Sequence, residues 1–552
     1  MISGGSAPPH ARSVEDVHLQ PRDEHGLGAN LNDELRSSDD NESAYLPVPR
    51  RRDGTLTDWC STMTQALSRA TLTSSVLGVS APPTPGMLHL GIGNFHRAHA
   101  AVHTAKAMAA KGGDWGIVAV ANRSRRVVDS LVAQDYLYSI LELSSAGERV
   151  DVLDVHREAL VAAEQTTELM ARIAAPEIRI VTLTISENGY CRNAVTGDLD
   201  VDGEAISTDL ANPAAPRTSI GQLAGALIRR YQGDAGPITI LSCDNLVSAG
   251  HTAHRMVSQY LQATQTPSGF EEWFQACVTF PNAMVDRIVP GTTDATRTRV
   301  RELLGLADAI PVPAERFSMW VIEDRFAAGR PAWEEAGAIF SDEVEAYELV
   351  KLRLLNGSHS LIAYLGGLDR QPTIPSSFGQ DFVRECVTEL LNTEYLPSIA
   401  LPTGFDAQAY IAQLFDRWSN HALGDATARV GSDGSLKLLQ RVPDPALRML
   451  NRGEVPQQLA LMVAGWIACV APPAGFDPGP IAAAMIEPAK NKLGAVTTGA
   501  GSVRAHVEAI MRGGFFPDAL AAHDEYVARV AEFVQIITAH GVRDAARAAL
   551  EA

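Results

Sequence analysis

The chain has 552 residues, of which 46% are hydrophobic and 20% charged, an ordinary balance for a globular protein of two or three domains. Its net charge of −19 disfavours broad nucleic-acid binding, which requires a basic face. No apolar run reaches the ~18 residues of a membrane helix, and no secretory signal is evident. The six cysteines form no CxxC pair, so we expect reduced thiols, a cytoplasmic location and no structural zinc.

The N-terminal segment differs in composition from the rest. Residues 1–55 are polar and rich in Ser, Asp, Arg and Pro. They carry too little apolar area to offset the entropy lost on ordering, so we expect a disordered extension. A helix over Trp59–Ala70 and a Pro-rich link over Ala81–Pro85 are expected to follow.

The first clear strand leads into a glycine turn. Met87–Leu90 reads as a short buried strand, Gly91 and Gly93 follow it, and a helix is predicted from about Arg97 to Ala110. A strand, a glycine turn and a helix N-terminus together form a phosphate site, because backbone N–H groups point at the anion. The third glycine of the general dinucleotide fingerprint is replaced by His96, so a purely structural turn remains an alternative.

A basic segment follows the second predicted strand, Trp115–Ala121. In dinucleotide folds an acidic residue just past this strand holds the ribose hydroxyls and favours NAD. This chain carries Asn122-Arg123-Ser124-Arg125-Arg126 instead. We therefore expect Arg125 to meet a 2′-phosphate, so that NADP is tolerated or preferred; a solvated basic loop is the alternative.

Two further strands deliver polar side chains to one edge of the predicted sheet. Ile178–Ile185 and Ile238–Ser242 are rich in β-branched residues. The second strand is followed by Cys243-Asp244-Asn245, at the carboxyl edge where ligands bind in open α/β sheets. Taken alone, this Asp-Asn pair also fits a turn or a helix cap.

The most informative stretch is a predicted helix over Tyr347–Leu365. Glu348, Lys351, Asn356 and His359 fall within an arc of about 140° among leucines. Burial lowers the pKa of an amine, so this lysine can serve as a proton acceptor, and the glutamate one turn away can relay the proton. A surface helix with a Glu–Lys pair and a satisfied histidine remains open on periodicity alone.

From residue 341 onward the pattern is helical. Apolar residues recur at helical spacing in Leu459–Cys469, Ile481–Ile486, Val503–Met511 and Tyr526–Leu550. We therefore predict an α/β fold class with three parts: the extension 1–55, a Rossmann-like dinucleotide-binding domain over 56–340, and a mostly α-helical substrate and catalytic domain over 341–552. The active site is expected in the cleft between the two domains.

Two blocks in this order resemble the polyol-specific long-chain dehydrogenases, the mannitol 2-dehydrogenase family. One is KLRLLNGSHS at 351–360, with Lys351, Asn356 and His359 at the family's spacing, and the other is GIGNFHRAH at 91–99. The resemblance spans residues 85–540. It implies a zinc-independent, NAD- or NADP-linked oxidoreductase that interconverts a sugar alcohol and its keto sugar, of the mannitol and fructose type.

The resemblance also implies a role for each matching residue. Lys351 is expected to be the general base, with Asn245 and Asn356 holding the negative oxygen and Glu348 passing the proton outward. Blocks at 280–290 and 417–437 extend the match to the substrate-binding residues, which are His359, Asp286, Arg429 and Lys437. The expected cofactor-binding residues are Gly91, Gly93, Phe95, His96, Arg97 and Arg125. No metal ligand is expected.

Two alternatives stay open. A uronate reductase of the same family, converting fructuronate to mannonate, would use the same base, with Arg429 and Lys437 meeting the substrate carboxylate. A cofactor-binding regulator without turnover is the alternative from another class, disfavoured by the intact Lys351, Asn356 and His359 set. A small-molecule polyol or keto sugar is the expected partner, with no nucleic acid and no membrane.

Overall fold

The computed structural model describes residues 64–74, 76–78, 84–193 and 196–552. The predicted extension 1–55 lies outside these ranges, as do residues 81–83 of the Pro-rich link and the first five residues of the predicted helix Trp59–Ala70. Residues 64–70 form turns and a bridge between Ala66 and Ala307 instead of a helix, so this part of the prediction is wrong. The reason is tertiary: Leu67 is fully buried, and its N–H donates to the Ala307 carbonyl at 2.8 Å.

The main sheet has six parallel strands. From one edge to the other they are His156–Val161, Gly116–Ala121, Pro85–Leu90, Ile180–Leu183, Ile238–Ser242 and Val278–Thr279. The chain starts in the middle, builds one side and then the other, so the strand order reverses beside Pro85–Leu90. Such a reversal is where doubly wound sheets bind their ligands.

Two smaller sheets accompany the main sheet and were not predicted. One has four strands in the order Leu77–Gly78, Gly147–Asp154, Tyr138–Ser144 and Val312–Glu315. The other has three strands in the order Ala283–Asp286, Met319–Ile322 and Ile339–Phe340. The three-stranded sheet matters for function, because its first strand ends at a predicted site residue.

Helices pack on both faces of the main sheet. Met87 and Ile117 belong to the core on one face, whereas Leu88 and Val118 belong to the core on the other. The α-helices of this half are Asn94–Ala98, Ala100–Lys111, Arg125–Ala133, Thr166–Ala174, Glu204–Ala211, Ser219–Gln232, Ala249–Gln262, Phe270–Cys277 and Asp294–Leu304, and the 3₁₀ turns are Glu187–Tyr190 and Trp333–Ala336. Because helices cover both faces of the sheet, the sequences of its strands are continuous runs of apolar residues.

The C-terminal half is helical and surrounds the buried helix Gln457–Val470. The α-helices are Val344–Val350, Ser358–Leu368, Ile374–Phe378, Asp381–Glu389, Ala407–Trp418, Thr427–Gly431, Gly434–Arg441, Pro443–Leu450, Gln457–Val470, Gly479–Ala483, Lys490–Thr497, Val503–Ile510, Asp518–Ala521, Asp524–His540 and Val542–Leu550. Lys351–Gly357, Leu390–Tyr395 and Met511–Phe515 are π-helical, and Leu396–Ser398 is a 3₁₀ turn. The predicted fold class, a Rossmann-like half followed by a helical half, is confirmed.

Within the described ranges, no helix combines the length and hydropathy needed to cross a membrane.

Candidate active site

The predicted helix Tyr347–Leu365 is present, but it is not one continuous α-helix. It consists of Val344–Val350, a π-helical turn over Lys351–Gly357 and a further α-helix over Ser358–Leu368. We call these three segments together the cleft helix. Single π turns inside α-helices occur frequently at functional sites.

The π turn changes which side chains share a face. In an α-helix, residues five apart, such as Lys351 and Asn356, point about 140° away from each other. In a π turn the backbone hydrogen bonds link residues five apart, so these two positions lie one above the other. Both residues line the same cavity, together with Glu348. The predicted polar face is therefore narrower in the structure than α-helical geometry allows.

The Lys351 amine meets the α/β half directly. Its Nζ donates to Asn245 Oδ1 at 2.5 Å and to the Val285 carbonyl at 2.6 Å. The side chain is half-buried, and burial lowers the pKa of the amine, opposed by the charge of Asp286. Both hydrogen-bond acceptors are neutral, so neither of them is a carboxylate that would favour the charged form of the amine.

Asn245 is held by the residue before it. Asp244 accepts hydrogen bonds from the backbone N–H groups of Ile185 and Ser186 at 3.1 and 2.9 Å, and from the Tyr190 hydroxyl at 2.8 Å. These contacts tie the end of strand Ile238–Ser242 to the end of its neighbour Ile180–Leu183. Asn245 thus follows a fixed loop, although its side chain is exposed toward the cleft.

Glu348 lies one turn before Lys351 and also reaches the α/β half. Its two carboxylate oxygens accept the Ser248 N–H at 3.1 and 3.0 Å. Burial raises the pKa of this carboxyl to about 7. Near neutral pH the group therefore exists in both protonation states, which suits a proton relay.

Two adjoining cavities of about 470 and 320 Å³ lie between the halves. Asn245, Lys351 and Asn356 border both of them. Glu348 lines the first cavity, and His359 lines the second. The structure thus brings together the residues predicted for proton transfer and alkoxide binding.

Asp286 is placed as predicted but is already paired. It ends strand Ala283–Asp286 and borders the second cavity. Both of its oxygens accept hydrogen bonds from the Arg417 guanidinium, at 2.9 and 2.8 Å. An ionised carboxylate has about four lone-pair sites, so the two bonds to Arg417 leave acceptor capacity for the substrate hydroxyls predicted to bind here.

The two predicted cations differ in their surroundings. Arg429 is exposed and pairs with Asp425. Lys437 donates to the Ser432 and Val430 carbonyls at 2.6 and 3.1 Å, and burial lowers the pKa of its amine to about 8. Both side chains border the second cavity.

Arg441 is a further cation of this cavity that was missed in the sequence. One of its guanidinium nitrogens donates to the Asn356 carbonyl and to Ser360 Oγ, both at 2.7 Å. Its Nε is buried without a hydrogen-bond partner among the described residues. The available signal was spacing, because Lys437 and Arg441 are four residues apart and share one face of helix Gly434–Arg441.

His359 packs against the ring of Trp418, with ring centroids 5.8 Å apart. Burial lowers the pKa of its imidazole to about 3, so the ring is neutral and offers one donor and one acceptor.

A larger cavity of about 780 Å³ lies at the carboxyl edge of the main sheet. Gly91, Asn122, Arg123, Thr184 and Gln222 are among its lining residues. Gly91 has a φ of +100°, and a Cβ there would lie 2.0 Å from the Thr184 carbonyl oxygen, so only glycine fits this turn. The cavity lies at the topological switch point of the sheet. Its glycine turn and its polar lining residues fit a dinucleotide.

The remaining members of the glycine-turn motif do not line this cavity. Gly93 donates its N–H to the Gly91 carbonyl at 2.7 Å, which closes the turn. Phe95 borders the second cleft cavity instead. Arg97 is 2% exposed and donates to the Ile310 carbonyl at 2.5 Å. His96 is 1% exposed. The side chains of His96 and Arg97 therefore lie in the core. The expectation from the sequence that these side chains contact a cofactor directly is corrected accordingly.

His96 belongs to what we call the histidine cluster, which comprises His89, His96 and His156. The rings of His89 and His96 stack with centroids 3.4 Å apart, and the Nε2 atoms of His96 and His156 are 3.1 Å apart. His89 also bonds Thr182 Oγ1 and Thr184 Oγ1, at 2.8 and 2.9 Å. Burial lowers the pKa of all three imidazoles far below neutral pH.

Arg125, predicted to meet a 2′-phosphate, is not among the residues that line the large cavity. It begins helix Arg125–Ala133, is exposed, and pairs with Glu164 and Asp129. Two arginines, Arg123 and Arg217, are among the residues that line the large cavity, and Arg123 is the one that follows strand Gly116–Ala121. The signal was present in the sequence, because Arg123 follows strand Gly116–Ala121 more closely than Arg125 does.

Comparison with known proteins places the chain in a family. The family model described as the mannitol dehydrogenase Rossmann domain matches residues 85–335, and the mannitol dehydrogenase C-terminal domain matches residues 343–474. The chain belongs to the mannitol dehydrogenase family. The resemblance carried by KLRLLNGSHS and GIGNFHRAH is thereby confirmed.

Two curated relatives and one solved structure illustrate the range of the family. D-mannonate oxidoreductase of Escherichia coli (strain K12) is 36% identical over 465 residues, covering 83% of this chain and 94% of the relative. Polyol:NADP oxidoreductase of Gluconobacter oxydans (strain 621H) is 35% identical over 383 residues, covering 67% and 78%. The mannitol 2-dehydrogenase of Pseudomonas fluorescens, solved as a ternary complex with NAD and D-mannitol, is 31% identical, with a TM-score of 0.77 over 88% of this chain and all of the other.

No group of three or more His, Cys, Asp or Glu side chains in the described part of the chain is arranged to hold a metal ion.

Proposed function

We propose that the chain is an NAD(P)-dependent oxidoreductase that interconverts a sugar alcohol and its keto sugar, with Lys351 as the general base. One observation carries this proposal: the Lys351 amine lies 2.5 Å from Asn245 Oδ1, in a cavity that Asn356 also borders. A proton acceptor and two amide groups thus surround one small space beside the Rossmann-type half. We propose 56–340 and 341–552 as the two functional halves, supported by family models that end at 335 and begin at 343.

The proposed reaction consists of a proton transfer and a hydride transfer. A bound NAD(P)⁺ supplies the hydride acceptor. Lys351, whose pKa is lowered by burial, takes the proton of the alcohol hydroxyl. The side-chain amides of Asn245 and Asn356 donate to the oxygen as it becomes negative, and each such donor is worth about 3–4 kcal/mol of barrier lowering.

Glu348 is proposed to pass the proton from Lys351 to solvent. Its carboxyl has a pKa of about 7, and it lines the same cavity as the amine. A group that is half protonated near neutral pH both accepts and releases a proton with little cost.

Arg123 is proposed to face the adenosine ribose and to permit NADP. It lines the large cavity next to Asn122, where NAD-preferring folds carry an acid. An arginine pairs with a phosphate through two parallel hydrogen bonds, so a 2′-phosphate would be favoured here. The name of the Gluconobacter relative, polyol:NADP oxidoreductase, supports the same cofactor.

The second cavity is proposed to bind the far end of an open-chain substrate. His359, Lys437 and Arg441 border it and offer hydrogen bonds to hydroxyl groups. Arg429 lies at its exposed side, held partly by Asp425.

A second substrate class has a specific observation in its favour. Lys437 and Arg441 border one cavity, whereas the two carboxylates that border it are each paired with an arginine, Asp286 with Arg417 and Asp425 with Arg429. The excess of positive charge suits a substrate that ends in a carboxylate. The nearly full-length match to D-mannonate oxidoreductase supports the same reading, so a fructuronate reductase is the alternative.

One substrate panel tests both candidates. The purified chain is assayed with D-mannitol, D-sorbitol and D-mannonate as alcohols and with fructose and fructuronate as ketones, each with NAD and NADP cofactors. We expect turnover of one class at least tenfold above the other. Binding of NADH or NADPH without oxidation by any ketone would contradict the proposal and favour a regulatory protein.

A further inference from the structure

Asp286, Glu315 and Arg417 form a buried group beside the cleft, which we call the arginine cluster. Arg417 Nη1 and Nη2 donate to the two oxygens of Asp286 at 2.9 and 2.8 Å. Its Nε and Nη2 donate to the two oxygens of Glu315 at 2.9 and 2.8 Å. None of the three residues is more than 6% exposed. One cation therefore holds two carboxylates, each through two hydrogen bonds.

The arginine cluster joins the two halves of the chain. Asp286 and Glu315 end the strands Ala283–Asp286 and Val312–Glu315, whereas Arg417 lies near the end of helix Ala407–Trp418. The ring of Phe317 covers the guanidinium, with 4.2 Å between the guanidinium carbon and the ring centroid. Only Asp286 among the three borders the cavity that Lys351 also borders.

Asp286 is a candidate to form an ion pair with Lys351, because Val285, the residue before it, accepts a hydrogen bond from the amine. The amine donates to the Val285 carbonyl and to Asn245 and to neither oxygen of Asp286. Both of those oxygens are instead directed at Arg417. A direct pair would stabilise the charged amine and work against its use as a base.

We propose that Arg417 is a positioning residue for proton transfer: it holds the Asp286 carboxylate and compensates its charge, so that the Lys351 amine keeps neutral hydrogen-bond partners. Because it acts through Lys351, this role rests on the proposed function. Arg417 does not itself contact the reacting atoms.

The charges that face Lys351 support this role. Burial lowers the pKa of the amine most; Asp286 and Glu348 raise it, and Arg417 and Arg441 lower it. Loss of Arg417 therefore acts twice in the same direction. It removes a positive charge that favours the neutral amine, and it frees a carboxylate that favours the charged amine.

The other titratable groups nearby do not oppose this effect. His99 and His359 are neutral at working pH, because burial lowers the pKa of each to about 3. Burial raises the pKa of Glu315 to about 7, although Arg417 opposes the rise. Arg417 thus compensates Asp286 fully when Glu315 is protonated.

The pH dependence of alcohol oxidation tests the role. The probe is the full chain, with whichever of D-mannitol and D-mannonate the wild type oxidises. In Arg417→Gln we expect the acidic limb of kcat/KM to move up by at least one pH unit. Activity should fall about tenfold at pH 7 and recover in alkali, where the amine is neutral. An unmoved limb would overturn the proposal.

A second substitution separates charge from structural damage. Adding Asp286→Asn to Arg417→Gln removes the freed carboxylate. The acidic limb of the kcat/KM profile should then return toward the pH at which it lies in the wild type. Asp286→Asn alone should move the limb to lower pH by about half a unit, because Arg417 then acts on the amine uncompensated. This single variant can be measured even where Arg417→Gln does not fold, and an upward or absent shift counts against the role.

The matched control is Arg157→Gln, which breaks another buried Arg–Asp pair, with Asp154, away from the cleft. It should leave the pH limb in place. Lys351→Ala is measured alongside. An active Lys351→Ala enzyme contradicts the proposed function, whereas an inactive one with unmoved limbs in the Arg417 and Asp286 variants contradicts only the positioning role.

Discussion

The cleft and the histidine cluster both gather ionisable side chains, yet only the cleft is built to exchange protons. Lys351 and Glu348 border a cavity, and their pKa values move toward neutrality from opposite sides. His89, His96 and His156 are completely buried, and their pKa values fall far below neutrality. Burial alone removes charge; proton exchange also needs nearby countercharges and a route to substrate or water.

The sharpest test of this contrast is Lys351→Ala. Removal of a general base is expected to lower kcat by about 10²–10⁴-fold. Binding of NADH or NADPH, followed by fluorescence titration, should stay within threefold of wild type, because the amine lies outside the dinucleotide cavity. Lys492→Ala, at an exposed lysine whose amine contacts the Gly514 carbonyl, is the control and should retain full activity. Turnover of the Lys351 variant near the wild-type rate would contradict the assignment.

Asn245→Ala should produce the next largest loss. Its amide is proposed to donate to the negative oxygen, and removal of one such donor costs about 10²–10³-fold in kcat. KM should change much less, because the donor acts mainly in the transition state. A variant with raised KM and normal kcat would show that Asn245 contributes uniform binding instead.

The histidine cluster should affect stability in acid and leave catalysis at neutral pH intact. In the folded protein the pKa values of these three imidazoles lie below the ordinary 6.5. The unfolded chain therefore binds more protons than the folded chain as the pH falls below 6.5, and the free energy of unfolding declines. Between pH 7 and 5 each buried histidine should cost about 2 kcal/mol. The free energy of unfolding, measured with urea at both pH values, should decline by about this amount less in His96→Gln than in the wild type. Equal declines in variant and wild type would mean that His96 is not held neutral.

The smallest expected effect concerns the cofactor. Arg123→Ala should raise the KM for NADP by about tenfold and leave that for NAD nearly unchanged, as expected for loss of hydrogen bonds to one charged group. The matched control is Arg125→Ala, which removes an exposed arginine already paired with Glu164. A larger effect at Arg125 than at Arg123 would favour the prediction that Arg125 meets the 2′-phosphate.

Much of the fold could be predicted because the pattern was local. Strands covered on both faces, such as Gly116–Ala121, read as apolar runs, and helices such as Gln457–Val470 repeat at helical spacing. The small sheets were missed because their strands pair with distant segments; Val312–Glu315, for instance, pairs with Tyr138–Ser144.

The residues that form the site could be predicted from the sequence, but their arrangement in space could not. The sequence indicates that Lys351 and Asn356 belong to one polar face, but not that a π turn aligns them. The residues around that turn are set by packing: a Cβ on Gly357 would lie 2.3 Å from the hydroxyl of Tyr395, a contact that depends on another helix. Likewise, GIGNFHRAH gives no indication that His96 and Arg97 point inward while Gly91 faces the cavity.

The π turn of the cleft helix takes up one more residue than an α-helix would while keeping the polar side chains aligned. Residues five apart across the π turn lie one above the other, as residues four apart do in an α-helix. Removing one residue from 352–355 would therefore let the segment return to α-helix with Lys351 and Asn356 still on one face. A residue added to the same stretch and not absorbed by the turn would instead rotate Asn356 and His359 by about 100° relative to Lys351. In this stretch a deletion should therefore be tolerated better than an insertion.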